Sequence, residues 1–423
     1  MSPPIESRRR DVRRIACLSF FAVAALGGMR GARAADTDLV ARGAYLERAA
    51  DCEVCHTRPG GTPFAGGRAF VLPGIGTIYS SNITPDRETG IGTYTDAQFV
   101  SAVQAGVAPG WKHLYPVMPY PSYARMTADD VRAIRAYLDT LRPVRARAPA
   151  NAVRFPYSFR PVMIAWNLIN LPSAPLADDP GQSADWNRGR YLVEAAGHCA
   201  ECHSPRNIMQ ATSSAHSYAG AVTGGWRAYN LSPDPDSGIG AWSDTQLAAY
   251  LSSGHADGHG TAAGPMAEVV SHSLRYLTAR DISAMVTYLR TLPARPSDET
   301  VANVPPDTLA AAGSNRTNGG ELFAGACGGC HLKDGQGRQV DVAALWGARS
   351  LGETQGRNLV KVLVEGSRLD TPQGAMTMPA FGPEYRDQDI ADIANYAIGH
   401  FSHRIGHVTA GDVATARDGE PPS

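Results

Sequence analysis

The chain has 423 residues, 43% of them hydrophobic and 19% charged, an ordinary balance for roughly two to four globular domains. Thirty-nine Lys and Arg against 40 Asp and Glu give a formal charge of −1, which argues against nucleic acid or an anionic membrane surface as the main partner. No segment beyond the N-terminal region carries a membrane span's worth of uninterrupted apolar residues, so any membrane attachment is expected to be peripheral or through a partner.

Residues 1–34 are expected to be a secretory signal peptide that is removed. Arg8, Arg9, Arg10, Arg13 and Arg14 form a basic region, residues 15–28 an apolar stretch too short to favour a span, and Ala32-Arg33-Ala34 a small-x-small cleavage site. Its loss takes away seven arginines, Glu6 and Asp11, and shifts the charge from −1 to −6. Of seven cysteines, Cys17 goes with this segment. The other six fall into three identical patterns and leave none for disulfides.

Domains are predicted over 35–148, 181–297 and 314–406. Each opens on an apolar-periodic helix, within 43–50, 189–196 and 320–326, that runs into Cys-x-x-Cys-His. Each closes on an amphipathic helix, over 127–141, 278–292 and 386–400, with Thr127 and Thr278 as N-caps of the first two. The intervening chain is rich in Gly and Pro and leaves little room for strands. Residues 149–180 are too apolar for a free linker and are expected either to strap the first two domains together or to dock a partner or bilayer. Residues 298–313 read as an extended connector and 407–423 as a polar tail.

Self-similarity ties the first two domains together. Cys52 and Cys199 are 147 residues apart; Asn82-Ile83-Thr84-Pro85-Asp86 and Asn230-Leu231-Ser232-Pro233-Asp234 are 148 apart, and Gly90-Ile91-Gly92 and Gly238-Ile239-Gly240 keep that offset. The third domain is shorter and diverged.

The motifs Cys52-Glu53-Val54-Cys55-His56, Cys199-Ala200-Glu201-Cys202-His203 and Cys327-Gly328-Gly329-Cys330-His331 carry the attachment signature of c-type haem. Two thiols form thioethers with the haem vinyl groups, and the adjacent imidazole takes one axial face of the iron. A zinc site would need two further ligands per motif, and a redox dithiol has no use for a histidine repeated three times. Three covalently bound haem c groups are expected.

The opposite iron face decides between electron transfer and small-molecule chemistry. Met118 lies 62 residues beyond His56, Met266 lies 63 beyond His203, and Met378 lies 47 beyond His331, each beside a proline that stiffens its loop. A methionine more often fills core space. The shared register of Met118 and Met266 and the Met-Pro context of Met378 single these three out as axial ligands, with Met376 the rival of Met378. His113, His255, His259 and His272 are expected at the surface or beside propionates.

The stretch Tyr79-Ser80-Ser81-Asn82-Ile83-Thr84-Pro85-Asp86 with Thr89-Gly90-Ile91-Gly92, and Tyr115-Pro116-Val117-Met118-Pro119-Tyr120, resemble the three-haem cytochrome c subunits of bacterial membrane-bound dehydrogenases. Ala262-Ala263-Gly264-Pro265-Met266-Ala267-Glu268 and Ala165-Trp166-Asn167-Leu168 are similar to that family too. The resemblance implies an all-α fold of three tandem class I cytochrome c domains, the first two a clear internal repeat. It implies a subunit that takes electrons from a catalytic dehydrogenase subunit of flavin, quinoprotein or molybdenum type. Ubiquinone or a terminal oxidase would receive them, at the periplasmic face of the cytoplasmic membrane.

Two other functions compete with that expectation. A catalytic multihaem oxidoreductase, peroxidase-like or oxidising sulfur compounds, would need one open haem; a free periplasmic shuttle would lack a fixed partner. No Gly-rich dinucleotide fingerprint follows a strand, so oxidation of the organic substrate is expected in another polypeptide.

Overall fold

A computed structural model describes residues 37–297, 317–338, 341–371 and 374–418. Residues 1–34, expected to be a signal peptide, and 298–313, expected to be a connector, lie outside the described residues.

Helices frame the molecule, which is about 43% helical and 11% strand. A helix through 37–49 leads into the turn Cys52–Cys55, and helix Ala128–Leu138 crosses it. The same crossing joins Ala184–Arg190 to Ala279–Leu289, and Asn318–Ala326 to Asp387–Ser402. Glycine makes each crossing possible: a Cβ on Gly43 would stand 1.8 Å from the Ala133 carbonyl oxygen, on Gly189 1.9 Å from Ala284 O, and on Gly319 2.1 Å from Asp392 O. Tyr137, Tyr288 and Tyr396 flank the three contacts. The hydroxyls of Thr127 and Thr278 accept from the amides of Asp130 and Asp281, as N-caps should. Before the second motif the helix widens into a π turn over Tyr191–Ala196.

The Gly/Pro-rich chain between helices holds more strand than the sequence promised. Short antiparallel pairs form, among them Val107–Ala108 with Lys112–His113, His255–Ala256 with Gly260–Thr261, and Ser367–Thr371 with Gly374–Met378. Runs of two to five residues are too short to show a period-2 pattern, so periodicity could not announce them.

One apolar core runs through both of the first two segments and includes Leu46, Met126, Ile134, Leu192 and Met285; a second, around Phe323, Ile390 and Ile398, belongs to 317–418. Across the first core the hydrogen bonds are reciprocal. Tyr45 Oη donates to Asp281 at 2.6 Å and Tyr191 Oη donates to Asp130, while Arg42 pairs with Asp130 at 2.6 Å and Arg188 with Asp281 at 2.7 Å.

Within 149–180, Ala152–Val153 adds a strand beside Gly76–Tyr79 and residues Val162–Asn170 form a helix. Its inner face buries Met163 and Trp166; Trp166 Nε1 donates to Met209 O (2.7 Å), and Asn167 accepts from Tyr120 Oη (2.7 Å). It therefore bridges the two segments it connects. Its outer face leaves Leu168 84% and Ile169 66% exposed, and the chain leading into it leaves Phe155 84% and Phe159 58% exposed. Among the described residues no helix is long and apolar enough to cross a membrane. The stretch read as a polar tail carries a helix, Ala410–Arg417, that buries Val413 and Ala416 and ties Arg417 to Asp387 at 2.6 Å. Two apolar side chains on one face suffice to dock it.

Candidate functional site

Each Cys-x-x-Cys-His motif folds as a single helical turn, closed by a bond from the histidine amide to the first cysteine carbonyl: His56 to Cys52, His203 to Cys199 and His331 to Cys327, all at 3.0 Å. Positions i, i+3 and i+4 share one face of such a turn, so both thiols and the imidazole point the same way. In each ring Nδ1 is tied to a backbone carbonyl: His56 to Ser81 O (2.7 Å), His203 to Tyr229 O (2.5 Å), His331 to Ala343 O (2.7 Å). Anchoring Nδ1 fixes the tautomer and leaves Nε2 to face a metal, the usual second support of a ligating imidazole. Burial lowers the proton affinity of all three rings, which keeps them neutral and able to coordinate.

The loop motif quoted above supplies two of these carbonyls. Asn82 Oδ1 accepts from the Thr84 amide (2.9 Å) and hydroxyl (2.7 Å), Asn82 Nδ2 donates to Val144 O (2.7 Å), and Asp86 accepts from the Thr89 amide (2.7 Å). Asn230, Ser232, Asp234 and Ser237 repeat the scheme, with Arg295 O in place of Val144 O. Ser81 and Tyr229 directly precede those asparagines, so the motif rigidifies the carbonyl on which each imidazole hangs.

Burial pushes Cys55 and Cys199 up to about 12 and Cys327 to about 11. A redox dithiol works through a thiolate, which burial of these groups disfavours. Among the described residues no three His, Cys, Asp or Glu side chains converge as a metal site, and none of the six motif cysteines is in a disulfide. The donor set fits a covalently attached haem at each motif.

Met118 and Met266 are half-buried against the shared core, Met118 just before the turn Tyr120–Tyr123 and Met266 in the first turn of helix Gly264–His272. Met378 ends its strand and packs against the second core, that of 317–418, whereas Met376, two residues back, pairs with Leu369. Met126, Met163 and Met285 are core. His259, expected at the surface or beside a propionate, is 9% exposed and stacks on Trp242 at 3.8 Å.

Sequence reasoning missed Asp51 and His198. Each directly precedes a motif and takes a left-handed backbone, φ 52° and 41°, that swings the chain from helix into the cysteine turn. Neither is a glycine, so no signal marked the bend. Both stand where the first two motifs meet: Tyr123 Oη donates to Ala50 O (2.7 Å) and its ring lies 5.6 Å from that of His198, Ser122 reaches Glu201 (3.2 Å), and Glu268 pairs with Arg68 (2.7 Å), which donates to Val54 O (3.1 Å). The segments that follow Met118 and Met266 thus each cross to the other's motif.

Two family models match the chain: cytochrome c over residues 187–293, and cytochrome c oxidase, cbb3-type, subunit III over 314–396. The chain is 40% identical to the fructose dehydrogenase cytochrome subunit of Gluconobacter japonicus, covering 90% of this chain and 83% of that one. It is 40% identical to the gluconate 2-dehydrogenase cytochrome c subunit of Pantoea cypripedii, over 91% of each. Identity is 35% to the cytochrome c subunit of the alcohol dehydrogenase (quinone) of Gluconobacter oxydans, over 92% of this chain and 84% of that one.

Proposed function

This chain belongs to the cytochrome c subunits of fructose, gluconate and alcohol dehydrogenases, and from that membership we propose that it is the electron-transfer subunit of a dehydrogenase complex on the periplasmic side of the membrane. Three haem c groups would be held, one per motif, in three tandem domains of which the first two are a repeat. The matched glycine crossings and the reciprocal tyrosine bonds support that organisation.

Haem c supplies one-electron exchange at iron. The chain's residues do the rest: Cys52 and Cys55, Cys199 and Cys202, Cys327 and Cys330 fix the macrocycles. His56, His203 and His331 through Nε2, and Met118, Met266 and Met378 through their thioethers, would hold the iron. With both protein ligands in place an organic substrate or peroxide would find no position, and electrons alone would be exchanged. A catalytic partner of flavin, quinoprotein or molybdenum type would donate them, and ubiquinone or a terminal oxidase would accept them. The apolar outer face around Phe155 and Leu168 suits peripheral attachment to a bilayer.

The observation that carries this function is the threefold imidazole anchor, Nδ1 on a carbonyl at every motif. The test is haem content and reactivity of the purified holoprotein. Three covalent haems per chain, all low-spin and unreactive with carbon monoxide, are expected, together with co-purification of a dehydrogenase subunit. Fewer haems, or one that binds carbon monoxide, would favour the catalytic alternative for that domain.

A further inference from the structure

The third segment reaches into the second at the point where His203 is anchored. Tyr229, whose carbonyl takes the His203 Nδ1 bond, is enclosed by side chains from 349–358. Arg349 lies over its ring, 5.0 Å from the centroid. The same guanidinium donates to the carbonyls of Ser237 and Gly238 (3.2 Å to the latter) and reaches Asn230 O at 3.5 Å. Tyr229 Oη donates to Glu353, and Asn358 pairs with the Arg227 backbone in both directions, at 2.8 and 2.9 Å. The two other anchoring carbonyls belong to Ser81 and Ala343, which have no ring for a guanidinium to cover.

We propose that Arg349 is a positioning residue that sets the reduction potential of the haem held by His203, so that the third domain governs the redox poise of the second. This rests on the reading of His203 as an axial ligand. Arg349 spends its hydrogen bonds on carbonyls, and its charge acts on the His203 imidazole. A fixed positive charge in a low-dielectric site stabilises Fe(II) over Fe(III) and raises the potential. The Glu353 carboxylate, which accepts from the same phenol, acts in the opposite sense. The cation–π contact and the carbonyl bonds also hold the Tyr229–Gly238 loop, and with it the imidazole plane.

The test is a redox titration of the full-length holoprotein. Met266→His first identifies the wave of the second haem by moving it alone. Arg349→Gln is then expected to lower that same wave by about tenfold in its one-electron equilibrium, about 59 mV, with the other two in place. Arg349→Lys should recover most of the loss. Glu353→Gln should move the wave upward, an opposite sign that mere loosening of the fold would not give. Waves unmoved by both glutamine variants, or all three shifting together, would overturn the proposal. If Met266→His moves no wave, or the chain holds fewer than three haems, it is the axial-ligand reading that fails.

Discussion

Glu47 is fully buried one helical turn before the first motif, its Oε1 accepting from the Glu53 amide at 3.1 Å and its Oε2 without a hydrogen bond. Burial raises its carboxyl to about 7. A folded pKa above the unfolded one means stability that is complete at acid pH and lost as pH rises toward about 7. Glu47→Gln should therefore be more stable than the parent at pH 8 and lose part of the pH dependence between about 4.5 and 7, as denaturant titrations at several pH values would show. Met378 and Met376 part company on packing, since of the two Met378 is placed against the core of 317–418. Met378→Ala should remove the sulfur-to-iron charge-transfer band of one haem in three, whereas Met376→Ala should leave the spectrum intact; the reverse result would exchange their roles.

The helix crossings put the strictest demand on sequence. A Cβ on Gly189 would meet the Ala284 carbonyl at 1.9 Å, against backbone that cannot turn aside. Gly189→Ala should cost about 1–3 kcal/mol or more, as overpacking does, and thermal unfolding would register it. Thr278→Ala, which deletes one cap and no packing, should cost only about 1 kcal/mol. Gly43 and Gly319 should respond like Gly189 if all three crossings are built alike. Strands behave differently: runs of two to five residues are too short to show a period-2 pattern, which is why the helices were legible from periodicity and the hairpins were not.

Across the whole molecule the Tyr45–Asp281 and Tyr191–Asp130 bonds join the first two segments as mirror halves of one interface. Tyr45→Phe and Tyr191→Phe should each cost about 1.5 kcal/mol, the lower end for a bond to a charged group, because Arg188 and Arg42 still serve the aspartates. Comparable losses in equilibrium unfolding would mark a two-fold arrangement. The outer face of 155–169 makes a separate prediction: Leu168→Glu with Ile169→Glu should free the protein from membranes without detergent, provided that face attaches it. What the sequence by itself determined was local chemistry. Thiols and imidazole in one helical turn, caps, and the spacing of apolar and repeated residues all act within a few neighbours or recur at a fixed offset, so they can be read along the chain. Only the tertiary structure decided that Tyr229 carries Arg349 on its ring, that Asp51 and His198 bend where two motifs meet, and that the C-terminal stretch docks as a helix. Those contacts join residues up to some 150 positions apart in sequence, and nothing in a single chain's pattern records which distant surfaces will be brought together to bury their apolar area.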